Sequence, residues 1–169
     1  GKELVQIAKE SQKVLSVYHN RRFDTGFLTL QKIMQENTLG EIMHYEAHFD
    51  RFRPHARPER WREQARPGSG TLFDLGSHLI DQALMLLGKP EQILADLARQ
   101  AQNASVDDYA HLIFSYPGDK RVVLHMGSLV SNQSPHLIVQ GSQGSFVVQN
   151  LDPQENLLRA GHVPHDVTW

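Results

Sequence analysis

Tyr109-Ala110-His111-Leu112-Ile113-Phe114-Ser115-Tyr116, then Pro117-Gly118-Asp119, then Arg121-Val122-Val123-Leu124-His125-Met126-Gly127-Ser128-Leu129-Val130 are two strand-like runs joined by a turn. β-Branched and aromatic residues favour a pleated, half-buried surface, and a proline-glycine step between such runs predicts an antiparallel hairpin. His111 and His125 alternate with apolar neighbours and are expected on a sheet face. Similar runs at 93–101, 136–140 and 145–149 flank the hairpin, and Gly141-Ser142-Gln143-Gly144 supplies a second turn.

Upstream, the period changes. From Glu41 to Arg53 it is two, with Ile42, His44, Glu46, His48 and Asp50 on one side and Met43, Tyr45, Ala47, Phe49 and Arg51 on the other. Before it, Phe27, Leu28, Leu30, Ile33 and Met34 recur at helical spacing between Asp24, a fair N-cap, and the stop at Leu39-Gly40. Residues 2–12 read as an amphipathic helix, and Val14-Leu15-Ser16-Val17-Tyr18 as a short buried strand, the last α-to-β step of a parallel sheet. Residues 54–67 read as a proline- and arginine-rich loop with at most a short helix and Trp61 as a packing anchor. The pattern is α+β: helices, then an antiparallel meander that a helix can cover on one face.

The 169 residues, 40% hydrophobic, suffice for one domain, or for one plus part of another. Seventeen basic residues against nineteen acidic ones provide no broad cationic surface, so nucleic acid is not an expected partner. Without cysteine there is no disulfide framework or thiolate metal site. No apolar run approaches the roughly 20 residues of a membrane-spanning helix, and a cytoplasmic protein is expected. The helical pattern starts without a cap, and His162 to Trp169 stops without a closing element, so both ends are expected to be truncations of a longer protein.

The chemistry concentrates in Gly68-Ser69-Gly70-Thr71-Leu72-Phe73-Asp74-Leu75-Gly76-Ser77-His78-Leu79-Ile80-Asp81. In an α-helix from about Thr71 to Leu87, Asp74, His78 and Asp81 fall within roughly one sixth of the circumference, and leucine, isoleucine and alanine cover the rest. A titratable stripe on an apolar helix should face a cavity, with Asp74 orienting His78 as a general acid or base. The competing reading is a helix-surface ion pair of little energetic worth. Gly68, Gly70 and Gly76 allow close backbone approach, but no Gly-x-Gly-x-x-Gly fingerprint occurs.

Three further groups invite a function. His44 and His48, with Asp74 or His78, have the residue types of a facial metal triad, yet strand residues i and i+4 lie about 13 Å apart, so no metal is expected. Arg21 and Arg22 follow a strand-like run, where open sheets meet ligands. Arg51, Arg53, Arg57, Arg60, Arg62 and Arg66 suit an anionic cofactor or substrate, but the interleaved Asp50, Glu59 and Glu63 are expected to cancel most of that charge.

Val17-Tyr18-His19-Asn20-Arg21-Arg22-Phe23-Asp24, Leu39-Gly40-Glu41-Ile42, Trp61-Arg62 and Gly70 to Asp81 together resemble the second half of the glucose–fructose oxidoreductase / inositol dehydrogenase family, Gfo/Idh/MocA, from about Lys2 to Gln149. The resemblance implies an α+β domain with an open, mostly antiparallel sheet covered by helices on one face, after the last helix and strand of a Rossmann domain. Residues 1–20 would be the remnant of that dinucleotide-binding domain. Residues 21–169 would be the substrate-binding and dimerisation domain, incomplete at its C-terminus.

It also implies a parent enzyme that moves hydride between NAD or NADP and a sugar or polyol carbon. Asp74 and His78 match the family's Asp-x-x-x-His pair. Asn20 and Arg21 would lie by the cofactor, and Asp81 and Arg22 would support the substrate. The family's glycine fingerprint and Glu-Lys-Pro lysine are missing here, so most of the cofactor site would lie outside this chain, which alone would be inactive. A small carbohydrate-like substrate and a homodimer, or dimer of dimers, through the sheet are the expected partners. The rival readings are a non-catalytic dimerisation or regulatory module of the same fold and a metal-dependent hydrolase using His44, His48 and His78.

Overall fold

A six-stranded sheet in the order β2-β3-β4-β1-β5-β6 organises the computed structural model, which describes residues 1–163. The strands are β1 (Ile42–Asp50), β2 (Gln92–Ala98), β3 (Tyr109–Ser115), β4 (Arg121–Gly127), β5 (Leu137–Gly141) and β6 (Ser145–Val148). Only β1 and β4 run parallel; the other four pairings are antiparallel. Both expected turns join adjacent strands, Pro117–Asp119 between β3 and β4 and 141–144 between β5 and β6.

Alternation along β1 decides which face is dry. Tyr45, Ala47 and Phe49 are buried with Leu112, Phe114, Val122, Leu124, Met126, Leu137 and Val139 from neighbouring strands. Against them pack Leu30 of α2 (Thr25–Gln35) and Leu79 and Ala83 of α3 (Ser77–Leu87). Leu79 is fully buried, so truncation to alanine should cost about 2–5 kcal/mol. The opposite face carries His44, Glu46, His48 and Asp50, in register with His125 on β4 and His111 on β3. It is not covered by any helix among the described residues.

Two local expectations are corrected. Residues 14–18 form no strand: Val14 is 96% exposed, Val17 and Tyr18 are exposed, and no described strand pairs with them. A strand needs neighbours for its backbone groups, and none is within reach. The second helix stops at Gln35, before Leu39-Gly40; Asp24 stands at its N-cap position but makes no capping hydrogen bond, its carboxylate lying 3.5 Å from Arg21. The Thr25 amide donates instead to Asp152, just before α4 (Gln154–Arg159).

At the N-terminus, α1 (Lys2–Glu10) buries no residue and leaves Leu4, Val5 and Ile7 exposed. Among the described residues no helix is long and apolar enough to cross a membrane. Most of the segment expected to end without a closing element, residues 164–169, lies outside the described residues.

Candidate active site

The helix expected from Thr71 to Leu87 is continuous, but its first turns are wound as a π-turn over Leu72–Gly76 before α3 begins. Its start is held from afar. The Thr71 and Leu72 amides donate to the Asp107 carbonyl and to Asp107 Oδ2, each at 2.8 Å. Gly70 makes this possible: at φ +94° it takes a conformation that disfavours side chains, and a Cβ there would overlap the Asp107 carboxylate. π-Turns change which residues share a helix face and often occur at functional sites.

Asp74 and His78 consequently do not bond each other. Asp74 Oδ1 accepts from Arg62 Nε at 2.8 Å, and the Arg62 guanidinium also lies over the Trp61 ring, 4.8 Å from its centroid. Trp61 is half exposed, a stacking surface for Arg62 and not the packing anchor the sequence suggested. Asp81 is likewise taken, by a two-pronged bond from Arg22 at 2.7 and 2.6 Å.

His78 is left partly buried with no hydrogen bond to any described residue, and its Nδ1 is shut off from solvent. The His19 ring meets it edge-on at 5.9 Å, and His19 Nδ1 is also buried without a hydrogen-bond partner, its nearest acid being Asp81 at 3.8 Å. Burial, then the positive Arg21 and the neighbouring His19, push the His78 pKa below its ordinary value. Asp74 and Asp81 pull the other way without prevailing. The result is an imidazole that stays neutral near pH 7 and can take up a proton. The hydrogen bond from Arg22 holds Asp81 below the usual carboxylate range, so it is charged throughout that interval.

The other expected residues sit nearby in different roles. Asn20 and Arg22 are exposed in the 3-10 turn Asn20–Phe23. Arg21 bridges Asp24 at 3.5 Å and Glu155 of α4 at 3.2 Å, lies 5.8 Å from the Phe49 ring centroid, and accepts Gln82 Nε2 on its carbonyl at 2.7 Å. That is a bracing position between helices.

The metal reading fails on topology, since His44 and His48 point away from the helices and both donate to Glu46, at 2.9 and 2.7 Å. The sheet separates them from His78. Among the described residues no group of three or more histidine and acidic side chains is arranged to hold a metal ion.

Sequence reasoning missed Asp107, His19 as the neighbour of His78, and the partners of both helix carboxylates. Only the run of arginines around residue 60 hinted at the last.

An open α+β sheet with one face under helices, and a histidine on the covering helix, are the features to set beside known proteins. The chain matches the GFO/IDH/MocA C-terminal domain over residues 27–147 and belongs to that family. It is 50% identical over its whole length to the uncharacterized oxidoreductase YdgJ of Escherichia coli (strain K12), covering 48% of that protein. It is 42% identical, again over its whole length, to the scyllo-inositol 2-dehydrogenase (NADP(+)) IolW of Bacillus subtilis (strain 168), covering 47% of it. The solved structure of yvaA from Bacillus subtilis superposes with a TM-score of 0.86 at 42% identity, over 99% of this chain and 47% of that one. The chain thus spans about half the length of the curated relatives it matches.

Proposed function

We propose that this chain is the substrate-binding and catalytic part of an NAD(P)-dependent dehydrogenase acting on a hydroxyl or carbonyl of a sugar, polyol or related small molecule. The observation that carries the reading is His78: partly buried, free of hydrogen bonds, and shifted toward its neutral form. A buried histidine with only a structural task would normally be bonded.

The residues around it fit a nicotinamide cofactor bound mostly by polypeptide outside this chain. His78 and His19 both have orphaned ring nitrogens, and the exposed apolar side chains of Val17, Tyr18 and Phe23 stand beside them in sequence. Asn20 is the residue of this segment left to hold the cofactor, because Arg21 and Arg22 are committed to acids. When bound, NAD(P) supplies the hydride acceptor or donor.

The rest of the chemistry belongs to the chain. In the oxidising direction neutral His78 removes the hydroxyl proton as the carbon loses hydride, and in the reducing direction imidazolium returns it. Asp74 and Asp81, four residues before and three after, stabilise the transient imidazolium electrostatically without bonding the ring. Arg62 and Arg22 hold those carboxylates in place.

Supporting a dimer through the sheet, the uncovered face carries Leu94, Ile113 and Val123 on one side of Glu46 and Ile138 and Val147 on the other, all in register, and Leu94 is 59% exposed. The catalytic reading is tested by mixing a full-length protein carrying this chain with NAD or NADP and a panel of polyols, and following nicotinamide absorbance. Reduced cofactor with at least one polyol is expected; none with any, in either direction, overturns the reading.

A further inference from the structure

Asp74, but not His78, lines an open cleft with about 80 Å³ of solvent-accessible space. Five arginines line it. Arg51 and Arg53 stand at alternate positions after β1. Their backbone amides donate to Gly127 and Ser128 carbonyls at 2.9 and 2.6 Å, so both are set on a firm base. Arg57, Arg60 and Arg62 come from the loop opposite.

The acids cancel only part of this charge, less than the sequence suggested. Asp50 points to the other side of the sheet, where its side chain is 3% exposed beside His48. Glu59 does not line the cleft. Glu63 is spent on Arg57, Asp74 on Arg62, and Asp107 and Asp108 accept backbone amides of Leu72, Gln100 and Ala101. Arg51, Arg53 and Arg60 are left with no ion pair or side-chain hydrogen bond among the described residues. Arg51 and Arg53 are also half-buried, and burial together with the surrounding guanidiniums lowers both pKa values. Asp74 and Glu63 offset part of this repulsion from a distance, but half-buried guanidiniums with no bonded acceptor are unfavourable unless an anion completes the site.

We propose that this cleft is a subsite for an anionic group of the substrate, a phosphate or carboxylate held in the guanidinium forks of Arg51 and Arg53. The assignment rests on the dehydrogenase reading and narrows it to polyol or sugar derivatives that carry such a group. Asp74 lines the cleft and precedes His78 by four residues on the same helix, which joins the cleft to the element that carries the imidazole. Arginine suits this task because its planar fork matches both oxyanions, whereas a neutral hydroxyl accepts only weaker hydrogen bonds and leaves the charge uncompensated.

The test uses a full-length protein carrying this chain, the double variant Arg51→Gln/Arg53→Gln, and the conservative Arg53→Lys. The probes are inorganic phosphate, a hexose phosphate, a hexuronate, a neutral inositol and NADPH. Phosphate should bind the parent protein in a calorimetric titration and compete with an anionic substrate. In the double variant KM for the anionic substrate should rise by at least about tenfold, with kcat/KM for the neutral inositol and NADPH affinity within about threefold. Arg53→Lys should recover part of the loss.

Equal losses on charged and neutral substrates overturn the proposal, as does a loss confined to NADPH, which would assign the anion to the cofactor. Turnover of neutral polyols with no phosphate binding leaves the dehydrogenase standing and removes the subsite. Phosphate binding abolished by the variant, with no polyol of any kind turned over, leaves the subsite and removes the dehydrogenase. If the double variant does not fold, competition by phosphate in the parent protein decides alone.

Discussion

His78 and His48 are the same side chain, each partly buried and each with two carboxylates near it in sequence, yet their titration shifts in opposite directions. Burial acts first on both and disfavours the charged ring. On β1 the period of two puts Glu46 and Asp50 on the same face as His48, with Glu46 Oε1 at 2.7 Å and Asp50 Oδ2 at 3.3 Å. The bond to Glu46 and the close Asp50 carboxylate outweigh burial and raise its pKa. On α3 the nearby carboxylates Asp74 and Asp81 are intercepted by Arg62 and Arg22, and the ring faces Arg21 and His19 instead. A histidine given two acids is pushed toward its charged form; one whose acids are taken by arginine is pushed toward the neutral base.

The widest gap should appear in activity. In a full-length protein carrying this chain, His78→Ala should lower kcat by about a hundredfold or more, while His48→Gln should change it by less than about threefold. A similar loss from both would erase the functional distinction between the two faces.

Stability should reverse the ranking. His48→Gln leaves Asp50, 3% exposed, facing an uncharged side chain, and should cost about 1–3 kcal/mol in urea unfolding at pH 6, whereas His78→Gln loses no hydrogen bond and should cost less. Because the native pKa of His48 is raised, its contribution is full below its unfolded value of about 6.5 and fades as pH climbs through the higher native one. For His78, whose native pKa is lowered, the contribution is present above that unfolded value and is lost as pH falls through the native one. Glu46 and Asp50, both held below their ordinary values, lose theirs in more acid solution, as pH falls through their own native pKa values. Unfolding curves of the two glutamine variants against pH should therefore diverge from the parent on opposite sides of about pH 6.5.

The smallest effect sharpens the electrostatics. Arg21→Gln removes one of the positive charges acting on His78 and should raise its pKa, shifting the acidic limb of the kcat/KM profile to higher pH. His48 should not follow. A profile that stays put would mean that Arg21 only braces the helices, as its bonds to Asp24 and Glu155 suggest by themselves.

What could be read from residues alone follows the same division. The β1 faces were legible from Tyr45 on because strand alternation is local, Tyr45 and Ala47 inward and Glu46 and His48 outward, but not at the strand's start, where the irregularity between Ile42 and His44 leaves Ile42 buried in the core and Met43 exposed. The hairpin turns at Pro117 and Gly141 were legible for the same reason. His78 stood out because a titratable group interrupts an apolar helical pattern. The pairing of Asp74 was not legible, because it depends on a π-turn held by Asp107, which lies over thirty residues further on. Nor was the arginine cleft: Asp50 and Arg51 are adjacent in sequence and were counted together, but β1 sends them to opposite sides of the sheet. The run at 14–18 has strand-forming residues, but a strand also needs partners, and the described chain contains none for it.

The account stands most directly on the protonation of two rings. Imidazole nitrogen NMR of His78 and His48, titrated side by side in the full-length protein, should find His78 neutral at pH 7 and protonating below about 6.5, with His48 retaining its proton above that value. His78 charged at neutral pH, or titrating higher than His48, would contradict it.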